Sequence, residues 1–209
     1  MTETNSDGMQ RLLGEARVMA ILRGLGAERS LELSERAWSL GIHVVELPLQ
    51  FAEDVEALRL VSARATEEGY AVGAGTIVRP EQVAAAQAAG AAFIVSPGLD
   101  PDVVREAGVH GLPVLPGVAS ASEIQRAVRL GLSWLKAFPA AWLGPKWFTL
   151  MRGPFPQVNF VATGGLNAEN ADIFLSAGVR VVAVGSALED EEQLDRLSVL
   201  TGGRQDGNG

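Results

Sequence analysis

Leu132-Ser133-Trp134-Leu135-Lys136-Ala137-Phe138-Pro139-Ala140 reads as a short strand buried on both faces, with one charge inside it. Gly131 precedes the run and Pro139 ends it, while Trp134, Leu135, Ala137 and Phe138 leave neither face polar. Strands of this kind belong to parallel sheets covered by helices. The charge needs its own explanation. Lysine occurs only twice, at Lys136 and Lys146, against fifteen arginines, so the surface has been given to arginine. Burying an ammonium without a partner is costly, and a desolvated amine is a nucleophile that forms Schiff bases with carbonyl compounds. The other reading is a strand-end lysine whose stem packs on Phe138 and whose head reaches water. The rest of the chain has to choose between them.

Outward from this run the chain repeats one unit. Apolar runs at Val18–Leu22, Ile42–Leu47, Tyr70–Thr76, Ala91–Val95, Leu112–Leu115, Val158–Ala162 and Val179–Val184 join the Lys136 run to make eight predicted strands. Between them lie helical stretches at roughly Ser30–Leu40, Asp54–Glu68, Pro80–Ala89, from Asp100–Pro101, from Ser120 or Ser122 to Leu130, Pro145–Met151 and Asn167–Ala177, with a last one over Glu189–Leu200. Eight strand–helix units can close into a (β/α)8 barrel, a TIM barrel. The competitor is an open doubly wound sheet. However, its dinucleotide fingerprint is incomplete in Leu22-Arg23-Gly24-Leu25-Gly26. A single barrel domain over residues 1–209 is the reading taken, with residues 1–10 and 202–209 as flexible tails.

Composition sets the bounds. The 209 residues are 47% apolar, enough for a substantial core, yet no apolar run is long enough to cross a membrane. The polar start, Met1 to Gln10, shows no signal peptide, and a cytoplasmic location is expected. With no cysteine, thiolate metal sites and disulfides are excluded, and His43 and His110 are the only imidazoles. No metal or other cofactor is expected. A net charge of −8 argues against nucleic-acid and membrane partners.

Barrel chemistry collects at the C-terminal ends of the strands. There stand Arg23 after strand one, Glu46 near the end of strand two, Thr76 after strand three, Pro97 after strand four and Lys136 on strand six. Period-two alternation puts Ile42, Val44 and Glu46 on one face, and Trp134, Lys136 and Phe138 on another. If the apolar members face inward, Glu46 and Lys136 share one mouth. A structural Glu–Lys pair is the alternative, but a buried ion pair is a poor source of stability. Thr163-Gly164-Gly165 and Gly185-Ser186 close strands seven and eight, where barrels often hold a phosphate on backbone N–H groups.

Taken in order, Ile21-Leu22-Arg23-Gly24, Val45-Glu46, Gly73-Ala74-Gly75-Thr76, Ser96-Pro97-Gly98, Pro116-Gly117, Leu135-Lys136-Ala137-Phe138-Pro139, Gly153-Pro154-Phe155-Pro156, Thr163-Gly164-Gly165 and Gly185-Ser186 form a set. With them the chain resembles the 2-keto-3-deoxy-6-phosphogluconate (KDPG) and 4-hydroxy-2-oxoglutarate (KHG) aldolase family, which includes 6-phosphogalactonate-type members. The resemblance implies a homotrimeric class I aldolase of the Entner–Doudoroff type, releasing pyruvate and glyceraldehyde 3-phosphate. It implies Lys136 as the Schiff-base lysine and Glu46 as the acid/base acting through water. By the same resemblance Thr76 and Pro97 contact the pyruvate moiety, Phe138 packs beside it, and Gly164, Gly165, Gly185 and Ser186 take the phosphate. One position departs from the pattern: Gln50 stands where the phosphogluconate enzymes often carry arginine, so Arg23 is read as the carboxylate contact. Three alternatives stay open here: a pyruvate-dependent aldolase for a non-phosphorylated substrate, another phosphosugar chemistry with Lys136 as a phosphate contact, and a non-catalytic sugar-acid-binding barrel.

Overall fold

The computed structural model describes residues 4–185, 188 and 190–201. Parallel strands β1 (Val18–Ile21), β2 (Val44–Pro48), β3 (Ala71–Gly75), β4 (Phe93–Val95), β5 (Val114–Leu115), β6 (Gly117–Val118), β7 (Trp134–Ala137), β8 (Asn159–Thr163) and β9 (Val181–Val184) form one sheet in the order β5-β4-β3-β2-β1-β9-β8-β7-β6. The two outermost strands, β5 and β6, are halves of one stretch broken at Pro116, which has no N–H to give. That stretch serves both edges. The Leu115 carbonyl accepts from the Ser96 N–H at 3.2 Å, and the Pro116 carbonyl from the Lys136 N–H at 2.9 Å. The sheet therefore closes as the expected (β/α)8 barrel, its fifth strand divided in two, so that β7, β8 and β9 are the predicted strands six, seven and eight.

Helices α2 (Ala27–Ser39), α3 (Ala52–Glu68), α4 (Glu81–Ala88), α5 (Pro101–Val109), α6 (Ala121–Arg129), α7 (Ala140–Leu143), α8 (Pro145–Arg152), α9 (Ala171–Ser176) and α10 (Glu191–Thr201) follow the strands. Their starts follow capping chemistry: Asp100 caps α5 with Pro101 in the first turn, and Ser120 caps α6. The core has two parts. Outward-facing residues such as Val45, Leu47, Leu135 and Val182 pack under the helices, while Met19, Val44, Phe93, Trp134, Val161 and Val181 fill the barrel. Val44 faces inward as expected; Ile42 lies before β2 begins and joins the outer layer instead. None of the described helices is long and apolar enough to cross a membrane.

The expected N-terminal tail needs correcting. Asn5–Leu13 is a helix, α1, capped by Thr4, and it joins the barrel interior through the fully buried Met9 and Leu13. The polar residues that suggest a tail are used on strand backbones. The Asn5 amide accepts from the Val114 N–H at 2.5 Å and donates to its carbonyl at 3.2 Å. The Ser6 hydroxyl donates to the Gly131 carbonyl at 2.9 Å and accepts from the Ser133 N–H at 3.1 Å. Helix α1 thus ties the entries of β5 and β7 together. Residues 202–209, the other expected tail, lie outside the described residues.

If α1 is an integral part of the core, Leu13→Ala should cost about 2–5 kcal/mol, the range for emptying a buried leucine site. Chemical denaturation measures this; a loss below about 1 kcal/mol, as for a surface change, would return α1 to the status of a tail.

Candidate active site

Glu46 on β2 and Lys136 on β7 both enter the barrel, one residue pair above Val44 and Trp134 of the interior cluster. Lys136 keeps 5% of its surface and Glu46 none. The Lys136 Nζ stands 3.9 Å from Glu46 Oε1, within ion-pair range and too far for a hydrogen bond. It also lies 5.5 Å from the centre of the Phe138 ring, whose face attracts cations. Neither carboxyl oxygen of Glu46 has a hydrogen-bond partner among the described residues. Burying such groups without satisfying them costs several kcal/mol in order of magnitude. A gain in stability does not explain the pair.

At the mouth, Arg23 continues the inward alternation of Met19 and Ile21. Its Nη1 donates to Gln50 Oε1 at 2.5 Å and to Thr76 Oγ1 at 3.4 Å. Gln50 is itself held in place, because its N–H and that of Phe51 both donate to the Asp54 carboxylate at 2.8 Å. Thr76 adopts φ 57°, and among the described residues no other non-glycine has positive φ. A β-branched residue in the left-handed region costs on the order of 1–3 kcal/mol, strain that collects at functional sites.

These strand ends surround a cavity of about 440 Å³, within the range of small-molecule sites. Lys136, Arg23, Thr76 and Pro97 line it, as do Phe138, Gly164, Gly165 and Gly185. Glu46 is fully buried and adjoins the cavity at Lys136. Of the residues expected at the site, Ser186 alone lies outside the described residues. Gly164 and Gly165 have φ of 98° and 77°. A side chain at Gly164 would press on the Phe138 ring at 3.1 Å, and one at Gly165 on Ala141 at 2.6 Å. Asn167 braces the turn after them, its side-chain oxygen accepting from the Glu169 and Asn170 N–H groups. Helix α9 consequently starts at Ala171, later than the expected cap at Asn167.

The structure adds Thr163 to the site. It lines the cavity, is 4% exposed, and its hydroxyl has no hydrogen-bond partner among the described residues. Its signal was available: it sits two positions beyond Val161, an interior residue, and so faces inward. The two histidines are elsewhere. His43 stacks on Tyr70, and His110 bonds to Gln87 and Glu106.

Residues 9–199 match the family model for KDPG and KHG aldolase. The chain is 36% identical to the 2-dehydro-3-deoxy-phosphogluconate aldolase of Treponema pallidum, over 84% of this chain and 82% of that one. It is 34% identical to the enzyme of the same name from Pseudomonas aeruginosa, over 88% and 82% of the two chains. The solved KDPG aldolase of Legionella pneumophila holds pyruvate captured at low pH as a covalent carbinolamine intermediate. It is similar with a TM-score of 0.81 and 30% identity, covering 96% of this chain and 98% of that one. A barrel mouth that brings a buried lysine and a buried glutamate together therefore stands in a chain that belongs to the KDPG and KHG aldolase family.

Proposed function

We propose that the protein is a class I aldolase, a carbon–carbon lyase that cleaves a 2-keto-3-deoxy sugar acid 6-phosphate, KDPG foremost, into pyruvate and glyceraldehyde 3-phosphate. The observation that carries this reading is the isolated buried pair, Lys136 and Glu46, at the edge of the cavity. Relatives bearing the phosphogluconate aldolase name support the substrate. A homotrimer and a cytoplasmic setting belong to the same reading.

The chemistry follows from the residue types. The Lys136 amine adds to the C2 ketone and loses water to give a protonated imine. Glu46 takes the C4 hydroxyl proton, directly or through a water, as the C3–C4 bond breaks. The electron pair flows into the imine, leaving an enamine and the free aldehyde. Glu46 returns a proton to C3, and hydrolysis of the imine then releases pyruvate. Arg23 and Thr76 hold the carboxylate, Pro97 and Phe138 flank the pyruvate carbons, and Gly164, Gly165, Gly185 and Ser186 receive the phosphate. Arg23 and Lys136 provide local attraction for an anion in a protein of net charge −8.

Borohydride reduction with pyruvate, followed by intact and peptide mass analysis, tests the central step. One pyruvate adduct should appear on Lys136, and none on Lys146, which is exposed on α8. Labelling that persists in Lys136→Ala would remove the assignment. Activity should also survive exhaustive EDTA treatment, because the imine takes the part a metal would play as electron sink. Loss on chelation that a divalent ion restores would point to a metal-assisted aldolase instead.

Arg23 yields a graded prediction. A charge-assisted contact to a carboxylate contributes about 1.5–3 kcal/mol, so Arg23→Ala should weaken pyruvate binding and retro-aldol cleavage by roughly ten- to 150-fold. Gln50→Arg should recover part of that loss, since position 50 touches Arg23. An increase in KM confined to phosphorylated substrates, with pyruvate binding intact, would move Arg23 to the phosphate end.

A further inference from the structure

Strand β3 presents Gly73 and Gly75 at alternate positions of its inward face. Neither is among the glycines with positive φ, so the backbone itself would accept alanine at both. Space is what forbids it. A Cβ at Gly73 would stand 2.3 Å from the Phe93 ring. A Cβ at Gly75 would stand 2.0 Å from Oε1, 2.6 Å from Cδ and 2.7 Å from Cγ of Glu46. The Glu46 carboxyl group thus occupies the volume that a side chain at position 75 would need. On the amine side, the same Oε1 stands 3.9 Å from Lys136 Nζ. No hydrogen bond from any described residue holds either oxygen. Its placement therefore depends on the empty volume over Gly75 and on the charge of Lys136.

We propose that Gly75 is a positioning residue of the aldolase reaction: its missing side chain is the seat of the Glu46 carboxyl group. The seat keeps the carboxylate off hydrogen-bonding contact with Lys136 while leaving it beside the carbon that must gain and lose a proton. The inference rests on the Schiff-base reading given above. Filling the seat displaces Glu46, whose atoms are the three nearest to the added carbon, and leaves the Lys136 amine free to react.

Pyruvate alone separates the two roles. The amine adds to C2 and loses water, giving the protonated imine. A base then removes a proton from C3; the C–H electron pair becomes the enamine double bond and the imine pair returns to nitrogen. Reprotonation in D2O leaves deuterium on the methyl group. Borohydride trapping therefore reads the lysine, and methyl exchange followed by NMR reads the glutamate.

The experiment measures both readouts, with retro-aldol kcat and Tm, in wild type, Gly75→Ala, Glu46→Ala, the double variant, and Gly73→Ala as a packing control on the same strand. In Gly75→Ala, methyl exchange and kcat should fall about tenfold or more, within the contribution of a placed general base. Trapping should stay within about threefold of wild type. With Glu46 already removed, Gly75→Ala should have little further effect on exchange, because the two residues act through one contact. Gly73→Ala should lower Tm while moving trapping and exchange in proportion. Should Gly75→Ala alone fail to fold, the double variant decides: a Tm within about 2 °C of Glu46→Ala supports the seat, and a double variant that melts lower than that or also fails to fold overturns it. Unchanged exchange in Gly75→Ala, or a parallel fall of trapping and exchange, also overturns the inference. Absence of trapping in wild type would instead refute the Schiff-base reading itself.

Discussion

One electrostatic constraint organises this barrel. A lysine amino group and a carboxyl group are buried together, 3.9 Å apart, and the described residues give the carboxyl group no hydrogen bond. A pair of this kind is a weak contributor to stability, because desolvation offsets most of the attraction between the charges. Much of the surrounding structure can be understood as what makes the arrangement possible. Strands β2 and β7 aim the two side chains inward. Gly75 leaves room for the Glu46 carboxyl group, and Gly117 leaves room for the backbone of Pro97, whose carbonyl oxygen a Cβ there would meet at 2.0 Å. The layer below is sealed by Trp134, Phe93 and helix α1.

The overall charge opposes the proposed ligand, and distance resolves the conflict. Exposed carboxylates on the outer helices are screened beyond roughly 8 Å at physiological salt. Many are also engaged locally, as Glu35, Glu67 and Glu68 are with Arg64 on α3. Inside the mouth, the exposed Arg23 and the buried Lys136 both line the cavity and act on a ligand at short range. Gln50 and Thr76 accept hydrogen bonds from Arg23 without neutralising it, so its charge remains available to a carboxylate.

What the sequence made legible follows the repeat of the strand. Continuous apolar runs gave the parallel barrel, and period-two alternation was enough to send Glu46 and Lys136 into one mouth. The same alternation also points Thr163 inward, although in the sequence it stands out only as the start of the glycine turn that closes its strand. Helix α1 was not legible from composition, since Asn5 and Ser6 look like tail residues until the strand backbones they bond to are in place. The division of the fifth strand follows from the N–H that Pro116 lacks, visible only once both neighbouring strands are known. Least legible was Gly75. Its contribution is an absent atom, and no local pattern says which side chain from another strand will fill the space.

In the proposed reaction Lys136, and no other amine, bonds to the ketone carbon of the substrate. A crystal of the protein soaked with pyruvate at low pH tests it most directly. Continuous density is expected from Lys136 Nζ to C2 of pyruvate, with the pyruvate carboxylate toward Arg23 and Thr76 and the Glu46 carboxyl still over Gly75. Pyruvate lying unbonded in the cavity, or joined to Lys146, would contradict it.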